Sequence, residues 1–256
     1  MSEIVNLRCA SLPLDLESRP ERAANGATRA VNDGVPTEAQ VLILDTGSER
    51  AALIGADLIW FASDQAETLR TEIARRVKCE RDFVSLCATH THGTPNPDAR
   101  FSVGQCSSEL VKHLNARILA LTDKALAAPI QTAHITLGHA RVPGVSINRR
   151  REAWLWQNRR LRRRVQNLPN PSRHLDDRLT VLAFLSEASR QPLALVTHFT
   201  CHPVADPADR RGADFPGILR QELRSSFGAE TPILFLQSKV PEMQACYSLA
   251  LPASNR

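Results

Sequence analysis

The sequence predicts an α/β (α+β) fold in which mixed sheet layers are flanked by amphipathic helices. Three observations favour this class. Apolar runs of strand length, such as 41–45 and 179–185, alternate with segments in which apolar residues recur every three or four positions. Turn-forming residues separate these segments. The chain has 256 residues, 43% of them hydrophobic, and chains of this size bury roughly 70–75% of their unfolded surface, so a core without disulfides is expected.

The amino-terminal segment predicts irregular backbone. Pro, Gly, Asn and Asp are frequent from Cys9 to Gln40, and these residues favour turns over regular elements. We therefore interpret residues 1–25 as an irregular leader and expect a folded domain over residues 26–237. Residues 238–256 lack usable periodicity and are interpreted as a tail.

A hairpin and a helix are predicted next. Residues 41–45 and 51–59 are apolar and flank a glycine-containing turn, which predicts a buried hairpin. Ser63 is predicted to cap a helix that runs to about Lys78. The inner face of this helix is formed by apolar residues at helical spacing, namely Ala66, Leu69, Ile73 and Val77.

Strands and helices continue to alternate through the rest of the chain. A strand at 82–88 runs into a His-Thr-His-Gly segment, and a helix from Ser108 to Ala127 and a short strand at 133–137 follow. The remaining predicted elements are a hairpin of strands at 179–185 and 193–199, a helix from Pro216 to Ser226 and a strand at 231–236.

Composition and charge exclude several classes of protein. The net charge of +5 is too modest to demand an anionic partner, and the small number of aromatic residues argues against a base-stacking platform. No apolar run approaches the roughly 18 residues of a membrane span, and the first residues do not resemble a signal peptide, so a cytoplasmic protein without a transmembrane segment is expected. The six cysteines form no C-x-x-C pair and are expected to be reduced.

Histidines end two of the apolar strands. His90 and His92 are two residues apart, so in extended backbone their imidazoles point to the same side and can converge on one ion. His198 and His202 end a second strand, and Pro203 disfavours helical backbone at His202. Because zinc prefers imidazole, the pattern predicts a metal site. The alternatives are an ordinary polar strand end for the first pair and a buried, backbone-bonded histidine for His198.

Two further candidates carry charge or hydrogen-bonding groups near these histidines. Asp214 lies just ahead of Pro216, where its carboxylate can cap a helix, and it could also orient a histidine ligand. Asn148 and Arg149 end a strand-like segment, where the guanidinium could stabilise an oxyanion.

An arginine-rich stretch is the strongest local charge feature. We interpret it as a loop or helix with a solvated basic face, because no helix-turn-helix, RNP or zinc-finger signature accompanies it. Two tryptophans, Trp154 and Trp156, lie within it. Its arginines are Arg149, Arg150, Arg151, Arg159, Arg160, Arg162, Arg163 and Arg164.

The order of these motifs resembles the amino-terminal domain of the neutral/alkaline non-lysosomal ceramidase family. The matching blocks are CATHTHG at 87–93, SINRR at 146–150, CHP at 201–203 and ADFPG at 213–217. Four blocks in the family's order are fairly specific, and the similarity extends over about residues 26–237.

The resemblance implies a zinc-dependent amidohydrolase that cleaves the N-acyl bond of a ceramide-like lipid amide to a sphingoid base and a fatty acid. It implies that His90 and His202 bind zinc and that His92 and Arg149 line the reaction centre. Asn148, His198 and Asp214 are then candidates for positions around the metal or the substrate.

The chain departs from the family pattern after the strand at 231–236. The family's serine-containing segment is replaced by Ser238-Lys239-Val240-Pro241, and its downstream glutamate and tyrosine zinc ligands have no counterpart. We therefore expect a truncated ceramidase-like domain of doubtful activity that self-associates through uncovered surface. Two alternatives stay open: a non-catalytic module that binds anionic lipid or nucleic acid through residues 149–164, and a metal-dependent hydrolase of another amide.

Overall fold

The computed structural model describes residues 4–27, 34–205, 210–238 and 243–245. Its helices are α1 (Ser63–Val77), α2 (Ser108–Ala127) and α3 (Asp214–Phe227), with a 3₁₀ turn at Arg81–Phe83. Its strands are β1 (Ile4–Pro13), β2 (Glu38–Asp45), β3 (Arg50–Ala56), β4 (Val84–Ala88), β5 (Gln131–Arg141), β6 (Ser146–Asn148), β7 (Arg150–Gln157), β8 (Arg160–Asn167), β9 (Arg178–Ser186), β10 (Pro192–Phe199), β11 (Ile233–Gln237) and β12 (Met243–Ala245).

An eight-stranded mixed sheet forms the centre of the fold, which confirms the predicted class. Its strand order is β11-β10-β9-β5-β1-β2-β3-β4. The outermost pairs, β3–β4 and β10–β11, are parallel, and the inner pairs are antiparallel. The predicted hairpins at 41–59 and 179–199 are confirmed as β2–β3 and β9–β10.

The prediction of irregular backbone at the amino terminus is wrong for its first part. β1 lies in the interior of the sheet, where Asn6–Pro13 pair with β2 and Ile4–Leu7 pair with β5. Val5 and Leu7 are buried and alternate with polar residues, as in an ordinary strand. This alternation is short, and the turn-forming residues that follow it favour irregular backbone.

The sheet folds back on itself and encloses one of its faces. Apolar side chains from β1, β2, β5, β9, β10 and β11 form a single buried cluster on this face. β3 and β11 stand far apart in the strand order, yet a Cβ added to Gly55 would lie only 3.1 Å from Leu234 Cγ. The two ends of the sheet are therefore packed against each other through the core.

Helices cover the outer faces. α1 and α2 pack on the outer face of β1–β4 around a second apolar cluster that includes Leu69, Ile73, Leu114 and Ile118. α2 has the predicted bounds, and Ser107 caps it by accepting a hydrogen bond from the Leu110 N–H at 3.0 Å. Ser63 does not cap α1, because the helix begins at Ser63 itself and no side chain caps it.

α3 contacts two separate parts of the central sheet, β10–β11 and the start of β2. Phe215 and Leu219 pack on Phe199 and Phe235 of β10 and β11, and Arg224 forms two hydrogen bonds to the Glu38 carboxylate at the start of β2. The helix begins two residues earlier than predicted, at Asp214.

The arginine-rich stretch is a β-hairpin, so its interpretation as a loop or helix is wrong. β7 and β8 pair antiparallel from Arg150↔Asn167 to Gln157↔Arg160. Asn158 and Arg159 both have positive φ, which is the conformation of a two-residue type I′ turn, and Asn is common in such turns. The hairpin is a sheet of its own, outside the central sheet.

Part of the expected tail is ordered. Met243–Ala245 form β12, which pairs antiparallel with β6. Residues 239–242 and 246–256, with Cys246 among them, lie outside the described residues. Cys9, Cys79, Cys87 and Cys106 are free thiols. Within the described residues, no helix has both the length and the apolar character needed to cross a membrane.

Candidate metal centre

Three histidines converge where two strands of the central sheet end. His90 and His92 follow β4 directly, and His202 follows β10. The Nε2 atoms of His92 and His202 are 3.0 Å apart, and one nitrogen from each of the three rings lies within 4.8 Å of the others. The predicted convergence of the two strand ends is thus present in the fold, although 110 residues separate His92 from His202.

His90 is held by the loop that follows β3. Its backbone N–H donates to the Leu58 carbonyl at 2.9 Å, and its ring Nδ1 lies 2.7 Å from the Ile59 carbonyl oxygen. A hydrogen bond from Nδ1 leaves Nε2 as the ring nitrogen with a free lone pair. The backbone of His90 has φ of 67°, an uncommon conformation for a residue with a side chain, and such strain concentrates at functional sites.

The segment that carries His92 is packed directly against the backbone before α3. Thr91 Oγ1 donates to the Gly212 carbonyl at 2.9 Å, and Gly212 N–H donates to the Gly93 carbonyl at 3.1 Å. A Cβ on Gly93 would lie 2.5 Å from the Gly212 oxygen, so this approach requires glycine at position 93. The two motif blocks at 87–93 and 213–217 are therefore adjacent in space.

Asp214 anchors the turn that carries His202. Its carboxylate accepts hydrogen bonds from the Ala205 N–H at 2.9 Å and from the Phe215 N–H at 2.6 Å. It therefore joins the start of α3 to the chain just after His202, but the predicted capping role is wrong, because Asp214 is the first residue of the helix and no side chain caps it. His202 is buried, and its Nδ1 has no hydrogen-bond partner among the described residues.

Burial keeps the three imidazoles neutral. It lowers the pKa of His92 to about 4, and the charges of His90 and Arg149 add to this effect. Burial likewise holds the pKa of His202 far below the ordinary value of 6.5 and lowers that of His90. Neutral imidazoles have the lone pair that a metal ion requires, so the three rings could hold a cation.

Arg149 is the predicted site residue whose positive charge acts on the histidine cluster. It is half-buried, and its charge contributes to the lowered pKa of all three histidines. Burial also lowers its own pKa, although the guanidinium stays charged at pH 7. A cation next to neutral imidazoles can interact with an anion that approaches the cluster.

Two other predicted residues lie away from the three rings. The Asn148 side chain donates to the His174 carbonyl at 3.3 Å and accepts from the Arg150 N–H at 2.9 Å, so it shapes the chain around Arg149. His198 pairs with Thr180 and Leu236 within the sheet and is not part of the three-histidine group.

An apolar cavity that sequence reasoning missed is lined in part by Cys201, the residue before His202. Its volume is about 230 Å³. Apolar residues directly adjacent to site motifs, such as Cys201 before His202 and Phe215 after Asp214, are the signal that could have indicated it. The lining residues are Val142, Val145, Leu179, Phe199, Cys201, Phe215, Leu219 and Phe235.

Comparison with known proteins identifies the fold. No protein-family model and no curated protein sequence matches the chain. Among solved structures, neutral ceramidase from Pseudomonas aeruginosa matches 98% of this chain with a TM-score of 0.72 and 14% identity. A ceramidase complexed with C2 matches 94% of it with a TM-score of 0.67 and 14% identity. This chain spans only 41% and 38% of those two proteins, respectively. The chain has a neutral ceramidase-like fold, as its motifs had indicated.

Proposed function

We propose that this chain is a zinc-dependent amidohydrolase of the ceramidase type, acting on the N-acyl bond of a lipid amide. The observation that supports it most directly is the convergence of His90, His92 and His202 within a fold similar to that of neutral ceramidases. Each histidine comes from a motif block that resembles that family.

The donor set fits zinc. Tetrahedral zinc binds imidazole nitrogens at 2.0–2.1 Å, which places two such nitrogens roughly 3.3 Å apart. The His92 and His202 Nε2 atoms are already 3.0 Å apart, and burial keeps both rings neutral. The Ile59 carbonyl beside His90 Nδ1 is the kind of partner that orients a metal-binding imidazole.

The residues of the site support amide hydrolysis. When bound, zinc would supply Lewis-acid polarisation of the amide carbonyl and a water of lowered pKa. Arg149 would stabilise the oxyanion that develops on the carbonyl oxygen, since its charge already acts on all three imidazoles. We propose His90 and His202 as metal ligands, and His92 as the residue that contacts the reacting groups or completes the ligand set.

The apolar cavity supports a lipid substrate. It lies next to Cys201, the residue before His202, and its walls are entirely apolar or sulfur-containing side chains. Such a wall favours an aliphatic chain over a polar group, because burial of each methylene contributes about 0.8 kcal/mol. A ceramide-like amide would place its acyl chain there and its amide at the histidines.

Zinc content of the purified protein is the direct test of the metal centre. We expect one zinc per chain in the wild type and loss of zinc in His90→Ala and His202→Ala, measured by inductively coupled plasma mass spectrometry. The control is His139→Ala, an exposed histidine on β5 that should leave zinc content unchanged.

A further variant, His92→Ala, separates the role of His92 from that of the ligands. If His92→Ala retains zinc but loses hydrolysis of a fluorescent N-acyl sphingosine, His92 contacts the reacting groups; if zinc is also lost, it is a ligand. A wild-type protein that binds no zinc at neutral pH would contradict the proposed centre. Zinc binding without hydrolysis of any lipid amide would contradict the proposed activity and leave the centre in place.

A further inference from the structure

The β7–β8 hairpin has an apolar face that no other part of the described structure covers. Strand pairing places Trp154 opposite Arg163 and Trp156 opposite Leu161, and Val165 lies on the same face. The exposed fractions are 64% for Trp154, 73% for Trp156, 57% for Leu161 and 52% for Val165. Two tryptophans and two aliphatic residues on one exposed surface are unusual, because large apolar side chains are normally buried.

The opposite face and the turn carry most of the hairpin's positive charge. Alternation puts one set of exposed arginines on that face, and Arg159 lies in the turn. The single acid of the hairpin, Glu152, pairs with Arg163 on the tryptophan face, and the other arginine of that face, Arg150, donates to Asn167 at the base of the hairpin. The arginines of the opposite face are Arg151, Arg160, Arg162 and Arg164.

We propose that this hairpin docks the protein onto the surface of an anionic lipid bilayer. Indole rings prefer the boundary between headgroups and acyl chains, and Leu161 and Val165 add apolar area to the same face. Arginine side chains are long enough to extend from the hairpin to the phosphates while their aliphatic stems stay near the boundary. The apolar side of the hairpin matches the boundary of the acyl chains, and the arginines match the phosphates of the headgroups.

The same features fit nucleic acid less well. A nucleic-acid surface would use the arginines and could use the indoles for stacking. It would leave Leu161 and Val165 without a function, because aliphatic side chains offer no stacking surface. The aliphatic half of the apolar face therefore favours lipid as the partner.

The location of the hairpin connects docking on a bilayer with the proposed function. β7 begins at Arg150, immediately after Arg149, whose charge acts on the three histidines. A bilayer held by the hairpin would bring membrane-embedded lipid amides close to the site. Docking itself does not depend on the metal or on hydrolysis.

Vesicle co-sedimentation tests the docking surface. We expect wild-type protein and the metal-centre variant His202→Ala to bind phosphatidylcholine vesicles that contain phosphatidylserine, and to bind pure phosphatidylcholine vesicles far more weakly. Binding should fall with added salt, because screening shortens the range of charge interactions from about 10 Å at 0.1 M to about 3 Å at 1 M. Using His202→Ala separates failure of docking from failure of the proposed activity.

Two sets of substitutions assign the binding to the hairpin. The triple variant R160Q/R162Q/R164Q should weaken binding by about 100-fold, since each surface cation near an anionic membrane strengthens binding by about fivefold. The matched control, R75Q/K112Q/R190Q, removes the same charge from exposed residues elsewhere and should weaken binding by less than about threefold. W154S/W156S should abolish the blue shift of tryptophan emission on vesicle addition, while Trp60 remains as an internal fluorophore.

Three results would overturn the proposal. Equal binding to vesicles with and without phosphatidylserine would remove the role of the arginines. Equal loss of binding in the triple variant and in its charge-matched control would show that net charge alone is responsible. Hairpin-dependent binding of single-stranded DNA that is tighter than vesicle binding would identify nucleic acid as the partner. Circular dichroism of each variant would establish that it is folded.

Discussion

At the scale of single residues, the candidate site depends on a close approach of two glycines. Gly93 and Gly212 bring the segment of His92 and the segment before α3 into backbone contact, with Gly212 N–H bonded to the Gly93 carbonyl. Gly212 in turn packs against Val35, where an added Cβ would lie 2.6 Å from the Val35 carbonyl oxygen. Three backbone segments are therefore in direct contact beside His92.

Replacing Gly93 with alanine should therefore damage the site. Its Cβ would lie 2.5 Å from the Gly212 oxygen, and because that atom belongs to the backbone, relief requires movement of the whole segment. We expect a loss of about 1–3 kcal/mol in the free energy of unfolding, measured by urea denaturation, together with weaker zinc binding. Gly138→Ala is the matched control, since a Cβ there meets nothing within 4 Å. Unchanged stability and zinc binding in Gly93→Ala would show that the contact is not tight.

The histidines were the easiest part of the site to predict from sequence. His90, His92 and His202 follow apolar strands, and both the His-x-His spacing and the Pro203 neighbour are visible in the chain. Their three-dimensional support was not predictable in the same way. The Gly93–Gly212 contact and the bond between His90 Nδ1 and the Ile59 carbonyl join segments with no local sequence pattern in common.

At the scale of elements, α3 is attached to the sheet by a cluster of charged side chains. Arg224 donates to both oxygens of Glu38 at 2.6 and 2.9 Å, while Arg220 approaches Glu38 at 3.4 Å and forms an ion pair with the buried Asp57 at 2.5 Å. The Asp57 carboxylate also accepts the Glu38 N–H at 2.9 Å. These contacts connect α3 to the start of β2 and to the residue that follows β3.

This attachment should make stability depend on pH. Burial alone would raise the pKa of Glu38, but the hydrogen bond from Arg224 and the charges of Arg220 and Arg224 outweigh it, so the pKa is held below its ordinary value of 4.5. The stabilisation is then fully present above the ordinary pKa and is lost as the pH falls through the lowered, folded-state pKa.

Glu38→Gln tests this dependence. We expect it to lower the free energy of unfolding by about 2 kcal/mol at pH 7 and to reduce the slope of stability with pH below about 4.5. Glu67→Gln, which alters an exposed ion pair with Arg70 and Arg81, should change stability by less than about 1 kcal/mol. Thermal denaturation monitored by circular dichroism between pH 3 and pH 7 would provide both comparisons. Parallel pH profiles for wild type and Glu38→Gln would contradict the assignment.

Elements with strong periodicity were predictable, and those with weak local signals were not. α2 has the predicted bounds because a long apolar stripe and the Ser107 cap agree with each other. β1 was missed because its short alternation is followed by turn-forming residues, and its place inside the sheet depends on partners distant in sequence. The β7–β8 hairpin was missed because arginine has no strong strand preference and the positive φ of Arg159 has no sequence signal.

At the scale of the whole molecule, the fold depends on closure of the sheet through its enclosed core. Leu234 of β11 is fully buried in the cluster that contains Val5, Leu7 and Leu42, and it packs against Gly55 of β3. Strands from both ends of the sheet therefore share one core, and the molecule should unfold as one cooperative unit.

Leu234→Ala tests this coupling. We expect a loss of about 2–5 kcal/mol, because a fully buried leucine is removed where neighbouring strands cannot collapse into the space. The transition should stay cooperative, with intrinsic fluorescence and circular dichroism giving the same midpoint in urea. Leu137→Ala, at a site 67% exposed on β5, should change stability by less than about 0.5 kcal/mol. Two separate transitions in the wild type would show that the ends of the sheet fold independently.

The strand order also determines how the polypeptide reaches its native state. β1 pairs with β5 through Ile4 and His134, and β11 pairs with β10 and packs against β3. These pairings give the fold a high contact order, so a nascent chain emerging from the ribosome holds its earliest strand without one of its neighbours for much of synthesis. We expect slow refolding and a need for chaperones to shield β1 until its second partner has been made.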